Sequence, residues 1–258
     1  SHNRGGLRLT RRPICGSIHA MATFSLAQAP TRTIPIHSPE TSFDTREAET
    51  IIGGMSKTSK MPGYSISISA RRCNVGSKLR KVKGSTCEKC YACKGMYNFP
   101  NVQDAMERRY EALFDSRWVA AMAFVIGKKC RKVAYFRWHD SGDLQSLSHL
   151  INIVQVCELT PNVQHWLPTR EYAIVRKYRA MFGEFPPNLV VRVSAAMLDS
   201  AAPSDFAHSS EVATDESAMN ASRSRGGVAC VASTQGNQCL DCRACWDSSV
   251  PTVTYYKH

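Results

Sequence analysis

Eight cysteines in two short neighbourhoods are the residues of this chain best suited to chemistry. Cys87-Glu-Lys-Cys90-Tyr-Ala-Cys93 and Cys239-Leu-Asp-Cys242-Arg-Ala-Cys245 each set three thiols at successive spacings of three. Thiolates two residues apart can grip one metal centre from a single turn of backbone, and three in such a row suit iron–sulfur clusters. Cys73 lies upstream of the first run and Cys230 upstream of the second, so each run has a candidate additional ligand. Four thiolates would close the second site and leave no open metal position. Zinc is the alternative, because four-cysteine zinc commonly uses two pairs and Cys242 with Cys245 supplies one. A single site shared by both runs also stays open. Of the remaining cysteines, Cys157 extends an apolar helical stripe and reads as core, Cys130 ends a helix, and Cys15 lies in the N-terminal tail.

The chain that must position these thiols has 258 residues, 43% of them hydrophobic, which suffices for one α/β domain with a sizeable core. The apolar residues are too dispersed for a membrane span. Eleven cysteines, an odd number, argue against a complete disulfide framework. The weakly apolar stretch 17–29 is broken by Ser17, His19 and Ser25, which spoils a signal peptide. These features predict a reduced, cytoplasmic protein. The 33 basic residues against 21 acidic ones give a formal charge of +12. Such a surplus fits an anionic partner, nucleic acid or a phosphorylated small molecule, or simply a soluble surface with a basic tail.

Residues 1–50 read as a flexible lead-in, rich in Pro, Ser, Thr and Arg without sustained period. Residues 51–227 read as a βα barrel-like domain carrying the first metal site, and 228–258 as a C-terminal cysteine-rich segment with the second. Tyr64, Ile66, Ile68 and Ala70 alternate with serines, which predicts a strand. Further strands are expected over 132–139, 163–167, 189–195 and 228–233. Helices are expected over 101–116, 117–128, 144–159 and 171–182. Residues 198–227 read as a long loop or lid. Strands alternating with helices imply a parallel sheet, best as a partial (βα) barrel, with a doubly wound sheet as the alternative.

In a βα barrel the active face lies where strands end. Here the strand ends carry Cys73, Cys87 and Cys90, then Trp138-His139-Asp140-Ser141-Gly142-Asp143, then Pro168-Thr169-Arg170, then Ser194-Ala195. His139, Asp140 and Arg170 are the candidate catalytic residues. Gly142 permits close backbone approach, and Asp143 also suits a helix N-cap before Leu144. Arg137 and Arg192 stand inside apolar strands, where a buried charge needs a partner. Bound carboxylate or phosphate would serve, as would an internal salt bridge. Strand alternation puts Arg137 on the side of Tyr135 and His139, and Arg192 on that of Val190 and Ser194. The basic runs 71–83 and 128–132 could track a phosphate backbone, with Trp118, Trp138, Trp166 and Trp246 available for base stacking. No Walker loop, nucleophile elbow or HExxH motif is present.

Cys87-Glu-Lys-Cys90-Tyr91 is similar to the end of the radical S-adenosylmethionine signature. That resemblance implies a [4Fe–4S] cluster on three cysteines after the first barrel strand, with S-adenosylmethionine on the open iron. The family's first cysteine lies four residues before the second; here Lys83, Gly84, Ser85 and Thr86 fill that stretch, leaving Cys73 or Cys93 as third ligand. Ser141-Gly142-Asp143 resembles that superfamily's turn for the amino group of S-adenosylmethionine, with Asp140 or Asp143 taking the ammonium. Ser194, Arg192 and Arg137 complete the candidate cofactor-binding set. Cys230, Cys239, Cys242 and Cys245 resemble the auxiliary cluster some of these enzymes carry. More broadly, residues 135–143, Trp166-Leu-Pro-Thr-Arg170 and Cys242-Arg-Ala-Cys-Trp246 resemble the phage "gene product 88" family, which implies a phage origin and an infected host cytoplasm but no settled activity.

Three functions follow as expectations. The first is a radical S-adenosylmethionine-type iron–sulfur enzyme acting on an unknown substrate, a nucleotide or nucleic acid among the candidates. The second is a zinc protein that binds nucleic acid, and the third an iron–sulfur protein of electron transfer or sensing.

Overall fold

The computed structural model describes residues 43–257; most of the expected lead-in, with Cys15, lies outside them. The apolar residues of α1 (Thr45–Ile51) correct the boundary of that lead-in. Ala48 and Ile52 are fully buried, and α1 packs on α4. A two-residue strand β1 (Ser56–Lys57) pairs antiparallel with β2 (Tyr64–Ile66). β2 is shorter than its alternating sequence predicts, because Ser69 caps a tight turn over Ala70–Arg72 by accepting a bond from the Arg71 amide. A short helix α2 (Asn74–Leu79) and the first cysteine run follow, the latter wound into tight turns over Tyr91–Cys93 and Gly95–Asn98.

The expected alternation of helix and strand then appears. In order come α3 (Pro100–Ala112), α4 (Trp118–Lys129), β3 (Tyr135–Trp138), α5 (Leu147–Leu159), β4 (Gln164–Thr169), α6 (Tyr172–Phe182) and β5 (Leu189–Ser194). The expected loop over 198–227 is wrong in part: it contains β6 (Ser209–Ala213) and α7 (Glu216–Ser224). Asp215 caps α7 by accepting from the Ala218 amide, an ordinary N-cap signal. β6 was illegible because its serines are buried in pairs, Ser210 donating to Ser194 Oγ and Ser209 facing Thr252 Oγ1. β7 (Gly227–Ala229) ends sooner than expected, and a final strand β8 (Thr252–Tyr256) was not foreseen.

Among the described residues these elements make a mixed α/β fold of seven α-helices and one eight-stranded sheet, ordered β1-β2-β3-β4-β5-β6-β8-β7. All neighbours after β2 are parallel. The order from β2 to β6 runs with the sequence and does not reverse, unlike a doubly wound sheet. Among the described residues no helix is long and apolar enough to cross a membrane.

The two sheet faces differ in chemistry. Ile66, Phe136, Trp138, Leu167, Val191 and Val193 pack with α1, α4, α5 and α6 in the apolar core. The opposite face carries the row Ser65, Arg137 and Trp166, in register across β2, β3 and β4, and then Arg192 on β5. Sequence alternation misled on the serines, since Ser65, Ser67 and Ser69 are as buried as the isoleucines between them. Parallel strands are covered on both sides.

Candidate functional site

The first thiol group forms at the C-terminal end of β2. Cys73 opens α2, and Cys87, Cys90 and Cys93 return to it across the basic loop. Gly76 of α2 leaves the space that Cys73 and Cys87 share. A Cβ there would lie 3.0 Å from Cys73 Cβ, 3.6 Å from Cys73 Sγ and 3.7 Å from Cys87 Sγ. Burial pushes the Cys73 thiol far up, reinforced by Asp143 and by Cys90 and Cys87. Burial also raises Cys90, helped by the neighbouring Cys93 and Cys87. Cys93 Sγ accepts a bond from Arg80 Nη1 at 2.8 Å. The loop is stitched down beyond β5, where the Thr86 amide donates to Ala196 O at 2.9 Å and Leu198 donates to Gly84 O at 2.9 Å.

The second group is drawn together from residues 230–245. Cys230, Cys239, Cys242 and Cys245 line one cavity of about 20 Å³, walled otherwise by apolar groups including Trp246 and Val253. Cys245 Sγ lies 3.2 Å from Tyr255 Oη. Burial pushes the Cys245 thiol up to about 12, with the Tyr255 hydroxyl and Arg192 opposing. Among the described residues all ten cysteines are free thiols. No three His, Cys, Asp or Glu side chains among them are set as the ligands of one ion.

Arg192 is the anchor of this second group, and neither of its expected partners is present. Its guanidinium takes no acidic side chain and leaves no fork free for a cofactor. Instead Nε donates to Cys245 O at 3.0 Å, and Nη2 to Ala244 O and Asp247 O, both at 2.8 Å. Nη1 adds longer bonds to Ser209 O and Pro251 O. A fully buried cation thus organises the carbonyls of the tight turn Ala244–Trp246. Trp246 then seats the turn on the polar sheet face, donating to Phe136 O at 2.9 Å and packing edge-on against Tyr135 and Trp166.

Arg137 has a different setting. It lies over the Trp166 ring at 4.5 Å, Nη1 reaches only the Met61 sulfur, and Nε has no hydrogen-bond partner. Its charge interacts with Tyr91, Asp140, Tyr255 and Cys245. Asp140 Oδ1 likewise lacks a partner. Burial raises the Asp140 carboxyl, while Arg137 and Arg109 oppose, and neither guanidinium closes to an ion pair with it. Arg137, Asp140, Cys245 and Tyr255 are enclosed by protein nearly all round yet keep some surface open to solvent.

Other expected site residues have structural duties. His139 adopts a left-handed backbone, φ 53°, which ends the strand alternation and turns its ring onto His149 of α5 at 5.3 Å. It is 3% exposed, and burial, with His149 and Arg137 nearby, holds it neutral, well below the usual histidine range. It therefore does not share Arg137's side. Gly142, φ 84°, approaches β2 rather than a ligand: a Cβ there would sit 2.3 Å from Ile68 Cγ1 and 2.7 Å from Ile68 O. Ser141 Oγ donates to the same carbonyl. Asp143 does not cap α5; Ser146 does, accepting from the His149 amide. The Asp143 carboxylate is a hub instead, accepting from Leu144 N, Thr169 Oγ1 and Arg170 N at 2.6–2.9 Å. Ser194 is engaged by Ser210 and Tyr172. Arg170 Nε reaches Thr86 Oγ1 at 3.0 Å, beside Cys87.

Several contributors were missed. Glu171 accepts from the Val75 amide at 2.9 Å and so fixes the start of α2 beside Cys73. Arg109, on the buried side of α3, donates to Ser67 Oγ at 2.7 Å. Tyr91 donates to Asp140 O, tying the first cysteine run to the end of β3. An arginine in an otherwise apolar helical stripe was the available signal for Arg109. The four tryptophans expected to stack bases are all buried, at 5% exposure or less.

No curated protein and no solved structure matches this chain. The family described as Gene product 88 matches residues 42–248.

Proposed function

The chain belongs to the phage gene product 88 family, and from its two gathered groups of thiols we propose that it is an iron–sulfur enzyme of radical S-adenosylmethionine type. One observation carries the reading: a group of thiols gathers at the C-terminal end of the first parallel strand, and at the end of the next strand Arg137 Nε and Asp140 Oδ1 are buried without hydrogen-bond partners. Sequential parallel strands with the chemistry at their C-terminal ends agree with a partial (βα) barrel.

The donor types suit the group. Cys73, Cys87 and Cys90 would hold the cluster, because Gly76 keeps Cys73 and Cys87 side by side and Cys93 is already engaged by Arg80. An iron–sulfur cluster with one open iron, when bound, supplies the electron that cleaves S-adenosylmethionine reductively. The chain's own residues supply orientation and charge. Asp140 offers a carboxylate oxygen to an ammonium group, and Arg137 offers a planar fork to a carboxylate or phosphate. Asp143 and Glu171 hold the strand ends and α2 in place around the thiols. Arg170 orients Thr86 beside Cys87.

Cys230, Cys239, Cys242 and Cys245 form the auxiliary metal site in this reading. A second reading gives that site to structural zinc, favoured by a cavity of about 20 Å³, roughly the space of one water-sized sphere. The experiment is anaerobic incubation of iron- and sulfide-replete protein with S-adenosylmethionine and dithionite. The reading expects 5′-deoxyadenosine, abolished in Cys87→Ala. Absence of that product from cluster-loaded wild-type protein refutes it.

A further inference from the structure

Folding separates the two basic runs that looked like one phosphate track. Lys128 and Lys129 end α4, before β3, and so lie at the N-terminal edge of the parallel strands. There Lys129 pairs with Glu49 at 2.7 Å and Lys128 meets Thr45. The other run follows β2 and crosses the opposite edge. Residues 71–94 hold eight lysines and arginines and one acid, Glu88. Lys78, Lys81, Lys83, Lys89 and Lys94 are exposed.

The same edge exposes apolar surface. Tyr91, Met96 and Phe99 are 59%, 72% and 54% exposed, although apolar packing is available elsewhere in the fold. Their presentation is fixed. Tyr91 packs edge-on against Tyr97 at 5.8 Å and bonds to Asp140 O. Asn98 accepts from Arg71 Nη2 at 3.1 Å and donates to Cys93 O, while Phe99 begins α3. Rigid aromatic faces among exposed lysines match the chemistry of single-stranded polynucleotides, whose bases stack and whose phosphates run alongside. A duplex buries its bases and offers such rings nothing to stack on.

We infer that this edge is a binding surface for single-stranded nucleic acid, which stacks on Phe99 and Tyr91 and runs its phosphates past Lys78, Lys81 and Lys83. That this strand is also the substrate, with one nucleotide brought towards Arg137, rests on the function proposed above; the binding itself does not.

The test is fluorescence anisotropy of the full chain with labelled single-stranded DNA and RNA oligonucleotides of mixed sequence, and with the DNA duplex, over a salt series. The inference expects a single strand to bind more tightly than the duplex, the DNA and RNA arms identifying which is preferred. Phe99→Leu keeps an apolar side chain without a ring and should weaken binding about five- to hundredfold, the range of one lost stacked base. Phe99→Tyr should restore it. Replacing Lys78, Lys81 and Lys83 by Gln should lower the slope of log affinity against log salt by about 2, at roughly 0.7 per phosphate contact. Tighter duplex binding, an unchanged Phe99→Leu variant, or equal displacement by polyglutamate or phosphatidylserine vesicles overturns the inference. Iron is assayed on the same sample. Colourless protein that binds the strand removes the proposed enzyme and keeps the surface; brown protein that ignores every oligonucleotide does the reverse.

Discussion

Replacing Arg192 by Met should release the second cysteine group while leaving the first intact. The guanidinium makes three bonds of 2.8–3.0 Å to the carbonyls of Ala244, Cys245 and Asp247, and two longer ones to Ser209 and Pro251. A hydrogen bond to a charged group contributes about 1.5–3 kcal/mol, but burying the cation costs much of that sum, as the lowered Arg192 pKa reflects. Removing it strands several buried carbonyls, so the net loss is set at about 3–5 kcal/mol. For a folded region of this size that corresponds to a fall in Tm of about 10 °C. Urea unfolding at neutral pH measures the stability, and metal per chain measures the site. Arg192→Lys should recover only part of both, since an ammonium has three donors and cannot span this fan of acceptors. An Arg192→Met protein within about 1 kcal/mol of wild type with full metal content would refute the argument that this cation organises the turn.

Other consequences can be checked in the same way. Gly142→Ala forces a Cβ against Ile68 at a left-handed position, and should cost about 3 kcal/mol or more in urea unfolding; a loss under 1 kcal/mol would contradict the close approach. Burial lowers His149 to about 4 and His165 to about 3, against about 6.5 when unfolded. Between those values the unfolded chain binds more protons, so the stability is complete above pH 7 and is lost as pH falls through 6.5. The two together should remove about 4 kcal/mol between pH 7 and pH 5, and a flat profile across that range would rule them out as the source of acid lability. Cys230→Ala should lower the metal content of the second site while leaving oligonucleotide affinity within twofold, a combination read by elemental analysis beside anisotropy.

The βα rhythm from residue 100 to 194 was legible because each helix carries an apolar stripe and each strand a β-branched or aromatic run. The thiols were legible from spacing alone. What failed did so for identifiable reasons. β6 hides its strand character in serines that bond to hydroxyls of the neighbouring strands, Ser209 to Thr252 and Ser210 to Ser194. His139 breaks strand alternation with one positive φ, and that single residue moved a candidate catalytic ring to the helix side. The motif Ser141-Gly142-Asp143 reads as a ligand turn, yet its groups are committed to Ile68, Thr169 and Arg170. Arg192 and Arg137 look alike in sequence. Only the long-range return of residues 244–251 satisfies the first and leaves the second open, and no local pattern encodes that difference.

The most direct measurement is the iron, acid-labile sulfide and zinc content of the full chain purified without oxygen, repeated after Cys87→Ala and Cys90→Ala together. The account predicts a brown protein with about four irons per filled cluster and matching sulfide, and loss of the cluster from the first group in the double variant. A colourless protein carrying zinc without sulfide, or iron unaffected by that double change, would contradict it.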